Sequence, residues 1–246
     1  MDRLVELAIV IVLPLLLALF AYKKNPMTPW ATVTAYILAE IIGLCTNIWW
    51  VIAFFMFPIV AFLATKWKLK EKMELGLQEG KKGERSVLNL LGVGVIPAAI
   101  AVVYAVSGSQ QDLLAVAFLS ALAVSTSDTV ACETGIWAKK TYMITTFKQV
   151  EPGPNGAVSL YGFGTAFIGT LAFALLGWFF IFDTEPISIP DIRFLIVVAA
   201  GMFGNVMDSV LGATLENPGY IGKYTNNAST ALMGAVFGAL LYSLTI

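Results

Sequence analysis

From Trp30 to Thr65 the chain carries one charged side chain, Glu40, in a run about twice as long as a helix needs to cross ~30 Å of hydrocarbon. Backbone polar groups in lipid must be satisfied within the segment itself, so such a run has to be helical. It predicts two membrane helices joined by a tight turn near Thr46 and Asn47, with Glu40 inside the first as a paired acid or a polar cavity lining. Comparable apolar runs cover residues 4–22, with Pro14 a kink, and then 87–106, 113–132, 156–182, 192–211 and 228–244.

Composition agrees: 58% hydrophobic and 13% charged residues, with a mean hydropathy of +0.81, lie far outside the soluble range. The expected fold is all-α, a polytopic transmembrane bundle of seven to eight spans. It forms a single integral membrane domain over 1–246: helices 1–3 in residues 1–65, a charged loop at 66–86, and the catalytic helices in 87–246. The first run lacks a small-residue cleavage site before Lys23 and Lys24, and so reads as a retained helix. Cys45 and Cys132 are far apart, which leaves neither a disulfide framework nor a zinc site. With no histidine in the chain, acid-base or metal chemistry falls to carboxylates, lysines, amides or water.

Residues 66–85 hold seven basic and four acidic side chains and form a loop with room for a short interfacial helix. Placing this loop, Lys23, Lys24, Lys139, Lys140, Lys148 and Lys223 in the cytoplasm satisfies the positive-inside rule and puts both termini outside. Twelve lysines against three arginines favour a prokaryotic cell membrane.

Two apolar runs end alike on that side. Ser125, Thr126, Ser127, Asp128 and Thr129 close one, and Asn205, Asp208 and Ser209 close another about 80 residues later, so Asp128-Thr129-Val130 is echoed by Asp208-Ser209-Val210. The echo suggests a parallel internal repeat. Polar residues at such depth mark a function or a helix end already among the headgroups. Two neighbouring carboxylates offer hard oxygen ligands, and Mg²⁺ is commonly held by one or two carboxylates together with phosphate and water. Between them, Glu151, Pro152, Gly153, Pro154, Asn155 and Gly156 make a loop whose bare backbone N–H groups can approach a phosphate. Lys139, Lys140 and Lys148 offer cations, although each also suits an ordinary positive-inside residue. Asn226 and Asn227 fall on the same side.

Three ordered motifs, TSDTVACETG, VEPGPNGAVSLYG and GNVMDSVLGATLE followed by NNA, resemble the integral membrane family that includes plant phytyl-phosphate kinase. Phytol kinase, dolichol kinase and CDP-diacylglycerol or CDP-archaeol synthases are more distant members of the group. The resemblance spans residues 83–244. It places the family's positions on Ser127, Asp128, Thr129, Cys132, Glu133 and Gly135; on Val150, Pro152, Gly153, Asn155, Gly156, Val158 and Ser159; and on Asp208, Ser209, Leu211, Gly212, Ala213, Thr214 and Glu216, the last replacing glutamine. A fourth motif matches Gly83, Arg85, Asn89 and Gly94, with Val93 where the family has asparagine; Thr230 likewise replaces an asparagine.

The resemblance implies a CTP-dependent enzyme acting on an isoprenoid whose tail lies in the bilayer. Its first reading is a kinase converting a prenyl monophosphate into the diphosphate. Asp128, Asp208 and Glu133 are then catalytic, Asp128, Glu133, Asp208 and Glu216 hold Mg²⁺, and Arg85, Asn155 and Lys148 grip phosphates. Asn89, Ser127, Thr129, Lys139, Glu151, Gly153, Gly156, Ser159, Asn205, Ser209, Thr214, Asn226 and Asn227 complete the expected substrate and nucleotide contacts. The tail is expected between the spans at 113–132, 156–182 and 192–211. A cytidylyltransferase on a lipid phosphate would use the same clamp, and a transporter remains as a different class. Expected partners are CTP, an isoprenoid monophosphate and membrane lipid, not nucleic acid; homo-oligomerisation is left open.

Overall fold

The computed structural model describes residues 3–24, 26–76, 84–182 and 190–246. In chain order the elements are α1 (Arg3–Lys24), α2 (Pro29–Cys45), α3 (Ile48–Lys66), α4 (Leu69–Glu74), α5 (Val87–Ser107), α6 (Gln111–Gly135), β1 (Thr141–Met143), β2 (Gln149–Val150), β3 (Ala157–Val158), α7 (Leu160–Ile181), α8 (Ile192–Leu211), a π-helical turn (Gly212–Glu216) and α9 (Lys223–Ser243). The expected residue Gly83 and most of the acidic connection before Asp191 lie outside the described residues.

Among the described residues, six segments are long and apolar enough to cross a membrane: Leu4–Lys24, Ile48–Lys66, Val87–Ser107, Gln111–Gly135, Leu160–Ile181 and Ile192–Glu216. This corrects the expected seven to eight. Helix α2 has 17 residues and spans roughly 25 Å, short of the ~30 Å hydrocarbon core. Helix α9 begins at Lys223 rather than Ala228, and Lys223, Asn226 and Asn227 dilute its apolar character.

Most helix boundaries have a local cause. Asn47 Oδ1 accepts from the N–H groups of Trp49 (3.0 Å) and Trp50 (3.4 Å), which starts α3 and fixes the split in the long apolar run. Ser86 and Asn89 form a reciprocal capping box at α5. Ser159 Oγ accepts from Gly162 N at 3.0 Å, so α7 begins at Leu160, after β3, rather than at Gly156. The small antiparallel sheet, in the order β2-β1-β3, pairs Thr141 with Val150 and Met143 with Ala157.

Helix α6 is the axis of the bundle, packed on by α3, α5, α7, α8 and α9. Small residues let its neighbours approach closely, as membrane helices require in the absence of a hydrophobic force between them. A Cβ at either Gly204 or Gly234 would collide with Val124, and one at Gly201 would lie 3.0 Å from Ala123 Cβ. Gly204→Ala should therefore cost about 1–3 kcal/mol of overpacking, and Val124→Ala should recover part of it; thermal unfolding in detergent measures both.

The echo between the two D-[ST]-V units has a structural counterpart. Asp112, in the first turn of α6, pairs with Arg193 in the first turn of α8 (2.9 Å), while Asp128 and Asp208 meet near the other ends. The helices thus run parallel, side by side.

Arg193 ties the end away from the acid pair. It binds Asp191 and Asp112 and covers the ring of Phe182 at 4.2 Å, and Tyr242 donates to the same Asp112 carboxylate. Partial burial pushes the Asp191 carboxyl up, but hydrogen bonds and charge from Arg193 outweigh that and leave it below its ordinary value. A lowered folded-state pKa stabilises the fold above the unfolded value, and that contribution is lost as pH falls through the lowered one. Melting temperature should therefore drop below about pH 4, with part of the drop removed by Arg193→Met; a melting series between pH 3 and 6 tests this.

Candidate functional site

The polar run closing α6 divides by its contacts. Ser125 and Thr126 are buried and donate back to Ala121 O (3.3 Å) and Leu122 O (2.9 Å), while buried Ser127 reaches Met202 Sδ. These three hydroxyls are satisfied inside the bundle. Asp128 and Thr129 instead border open cavity, with the Asp128 carboxyl turned toward Asp208 on α8.

The carboxyl groups of Asp128 and Asp208 lie within hydrogen-bonding reach of each other. Asp208 Oδ1 is buried and, among the described residues, lacks a hydrogen-bond partner. Such an orphan is costly unless something absent from the protein completes it. A divalent cation held by two carboxylates fits that donor set and relieves the repulsion between them. Cys132 sits one turn beyond Asp128, its Sγ 3.4 Å from Asp128 Oδ1.

The other two expected metal ligands are engaged elsewhere. Glu133 is 9% exposed; its Oε2 accepts from Lys72 Nζ at 2.7 Å, and its Oε1 from Thr65 Oγ1 at 2.6 Å and Arg85 Nη2 at 3.4 Å. Glu216 accepts from Asn155 Nδ2 (2.9 Å) through one oxygen and from Asn226 Nδ2 (3.2 Å) through the other. Among the described residues no group of three or more His, Cys, Asp and Glu side chains could hold a metal ion. Of the four carboxylates expected to meet metal, Asp128 and Asp208 lie side by side, while Glu133 and Glu216 are held by neighbouring side chains.

Glu216 joins the second and third motifs. Through it the 151–156 loop, the π-helical turn and the start of α9 are joined, with Asn217 Nδ2 adding a bond to Asn155 O at 3.0 Å and Asn226 reaching Asp208 O at 3.3 Å. Gly156 fits because its φ is +81° and a Cβ there would lie 2.6 Å from Ala213. A π turn so placed re-aims the side chains that follow it, as such turns often do beside functional sites.

Two cavities meet at Asp128, and Asp208 lines the larger of them. One, of about 400 Å³, lies among α6, the sheet, α7 and α8; Asn155, Ser159, Asn205 and Ser209 give it a polar wall, with Gly153 and Gly156 beside them. A smaller one, of about 90 Å³, lies between α3 and α5 and is lined by Phe57, Ala61, Phe62 and Val93, with Arg85, Asn89, Thr129 and Asn227 toward the acids. Asp128, Cys132, Glu133 and Lys223 border both.

Several expected residues stand apart. Lys139, Lys148, Glu151 and Thr214 are exposed and line neither cavity, and Ser127 and Asn226 are buried behind the wall. The positive side chains on the rim loop are solvated; the cations of the site come from other segments. Lys223 was not among the expected residues, nor were Lys72 and Thr65. Lys223 sits at the first position of α9, where the helix dipole disfavours a cation, and its charge acts on Asp208. That unfavourable position, just before Asn226 and Asn227, was its signal in the sequence. Lys72 had none, being one lysine among many in a charged run.

Comparison with known proteins follows this geometry. The family model described as integral membrane protein DUF92 matches residues 12–239. The chain is 28% identical to the uncharacterized membrane protein MJ0933 of Methanocaldococcus jannaschii, over 98% of this chain and 97% of the relative. It is 32% identical to the uncharacterized membrane protein sll0875 of Synechocystis, over 94% and 89%. Protein VTE6, chloroplastic, of Arabidopsis thaliana is 30% identical over 74% of this chain and 54% of the relative, so the match spans about half of that plant protein. No solved structure matches.

Proposed function

The chain belongs to the integral membrane protein family DUF92, and on that premise we propose that it is a membrane-embedded kinase. It moves the γ-phosphoryl group of a nucleoside triphosphate, CTP by the family resemblance, onto the phosphate of an isoprenoid monophosphate. The observation that carries this reading is Asp128, set beside Asp208 and standing where a polar cavity meets an apolar one. One cavity suits a nucleotide, the other an apolar chain. The three motifs, which resemble the phytyl-phosphate kinase family, support the same class.

In the transfer, an oxygen of the prenyl phosphate bonds to the γ-phosphorus as the bond to the β–γ bridging oxygen breaks, releasing the nucleoside diphosphate. The nucleophile is already anionic, so a chain without histidine needs no strong general base. Mg²⁺, held by Asp128 and Asp208, would neutralise phosphate charge. Lys223 and Arg85 add positive charge at the junction, and Asn205, Ser209 and Ser159 line the nucleotide side. By the positive-inside rule the site faces the cytoplasm, where nucleotides are found.

The test is incubation of purified protein with Mg²⁺, a prenyl monophosphate and CTP labelled at the α- or γ-phosphorus. Label from the γ position alone in the lipid supports the kinase. Label from the α position alone makes it a cytidylyltransferase on the same carboxyl pair, and no labelled lipid with any nucleotide or prenyl phosphate removes both.

A further inference from the structure

The route of the lipid tail can be read from how the helices close on one another. Helices α6, α7 and α8 meet through glycines: Gly162 lies against Gly135, Gly169 against Val130, and Gly201 against both Ala123 and Thr170. A Cβ at Gly169 would already lie 3.0 Å from Val130. Beyond the polar cavity at their acid-bearing ends, these three helices close at Gly169 and Gly201 and leave no width for a branched hydrocarbon chain, where the sequence alone had suggested it.

The opposite flank of α6 is different. Helices α3 and α5 both pack on α6 and meet each other through Trp50 and Tyr104, whose rings are 4.7 Å apart, at the end away from Asp128; nearer Asp128 the smaller cavity occupies the gap between them. Its walls are Phe57, Pro58, Ala61 and Phe62 from α3 and Leu90 and Val93 from α5. On α3, Phe62 is exposed beside Ile59 and Leu63, a surface that lies in hydrocarbon when the helix spans the membrane. The inner end carries Arg85, Asn89, Lys223 and Asn227 next to Asp128, a polar head on an apolar slot. An amphiphile with an anionic head and an apolar tail matches that gradient in one orientation.

Resting on the kinase reading above, we propose that the acceptor's isoprenoid tail enters and leaves through the α3–α5 gap, with its phosphate at Asp128 and the nucleotide on the other flank of α6. Ala61 and Val93 then govern which tails are accepted. Val93 lines the slot one turn from Asn89, so its apolar side chain extends the slot toward the phosphate.

The experiment uses the full chain in detergent or nanodiscs and a prenyl monophosphate carrying a diazirine near its phosphate, with crosslinked peptides mapped by mass spectrometry. Labelling should fall on the segments holding Phe57 to Phe62 and Leu90 to Val93, and excess unlabelled prenyl monophosphate should suppress it. Labelling on α7 or α8, or labelling that does not compete, overturns the route. In a companion measurement Ala61→Trp should raise KM for the prenyl phosphate by about tenfold or more while moving KM for CTP less than about twofold. Equal rises in both would also overturn it. Competed α3–α5 labelling without any phosphoryl transfer would remove the kinase reading and leave the lipid slot standing. Transfer with label on α7 or α8 would do the reverse.

Discussion

Asp208→Asn should lower phosphoryl transfer by roughly 10²- to 10³-fold, the range expected when one preorganised electrostatic contact to a transition state is removed. The substitution keeps the shape of the side chain and removes its charge. Because the carboxyl lies against Asp128 with one oxygen buried and unpartnered, charge removal relieves repulsion in the resting protein. Stability in detergent should therefore hold or rise while turnover collapses. Asp128→Asn should behave alike, and the double variant should cost little more than either single one, because the two act as a unit. Near-wild-type transfer in a folded Asp208→Asn protein would remove the carboxyl pair from the chemistry. Measured turnover and unfolding temperature on the same preparation separate the outcomes.

Lys72→Met should destabilise the protein by about 3 kcal/mol, the lower end of the cost of breaking a buried ion pair, because Arg85 and Thr65 still hold the Glu133 carboxylate. The side chain of Lys72 is 0% exposed, and its Nζ also donates to Ala64 O at 3.0 Å. Through this one ammonium the six-residue helix α4 is fastened to the end of α3 and to Glu133 on α6. Arg85 holds the same carboxylate, and its backbone is bonded to the segment before α2, with Thr28 N donating to Arg85 O at 2.9 Å and Arg85 N to Pro26 O at 3.1 Å. Glu133→Leu alone should also be costly, since it strands two cations. Lys72→Met combined with Glu133→Leu should cost clearly less than the sum of the single changes. Additive losses in denaturant unfolding would mean that the two side chains act separately.

The two predictions assign different work to two acids that looked equivalent in the sequence. Asp128 and Glu133 lie in one motif, and both were expected to meet metal. Spacing on α6 could not reveal that Lys72, sixty-one residues earlier, returns to neutralise Glu133. A lysine in a charged run has the composition of solvated chain, and only tertiary contact shows it buried. The helices, by contrast, were legible because apolar length is a direct physical requirement of the bilayer, and Asn47 and Ser86 mark where helices start. The acid pair was legible through the echo of Asp128-Thr129-Val130 in Asp208-Ser209-Val210. The strands were not, since two or three residues are too few for an alternating pattern to emerge. Span counting overshot because α2 and α9 are helices of ordinary appearance, one too short and the other too polar at its start.

On the kinase reading, the meeting of two cavities at Asp128 also has a kinetic consequence. Each cavity opens on its own flank of α6, so neither ligand has to pass the other's place to arrive. A bisubstrate enzyme built this way has no compulsory order of addition, and its initial-rate lines should intersect rather than run parallel. Either product could leave first.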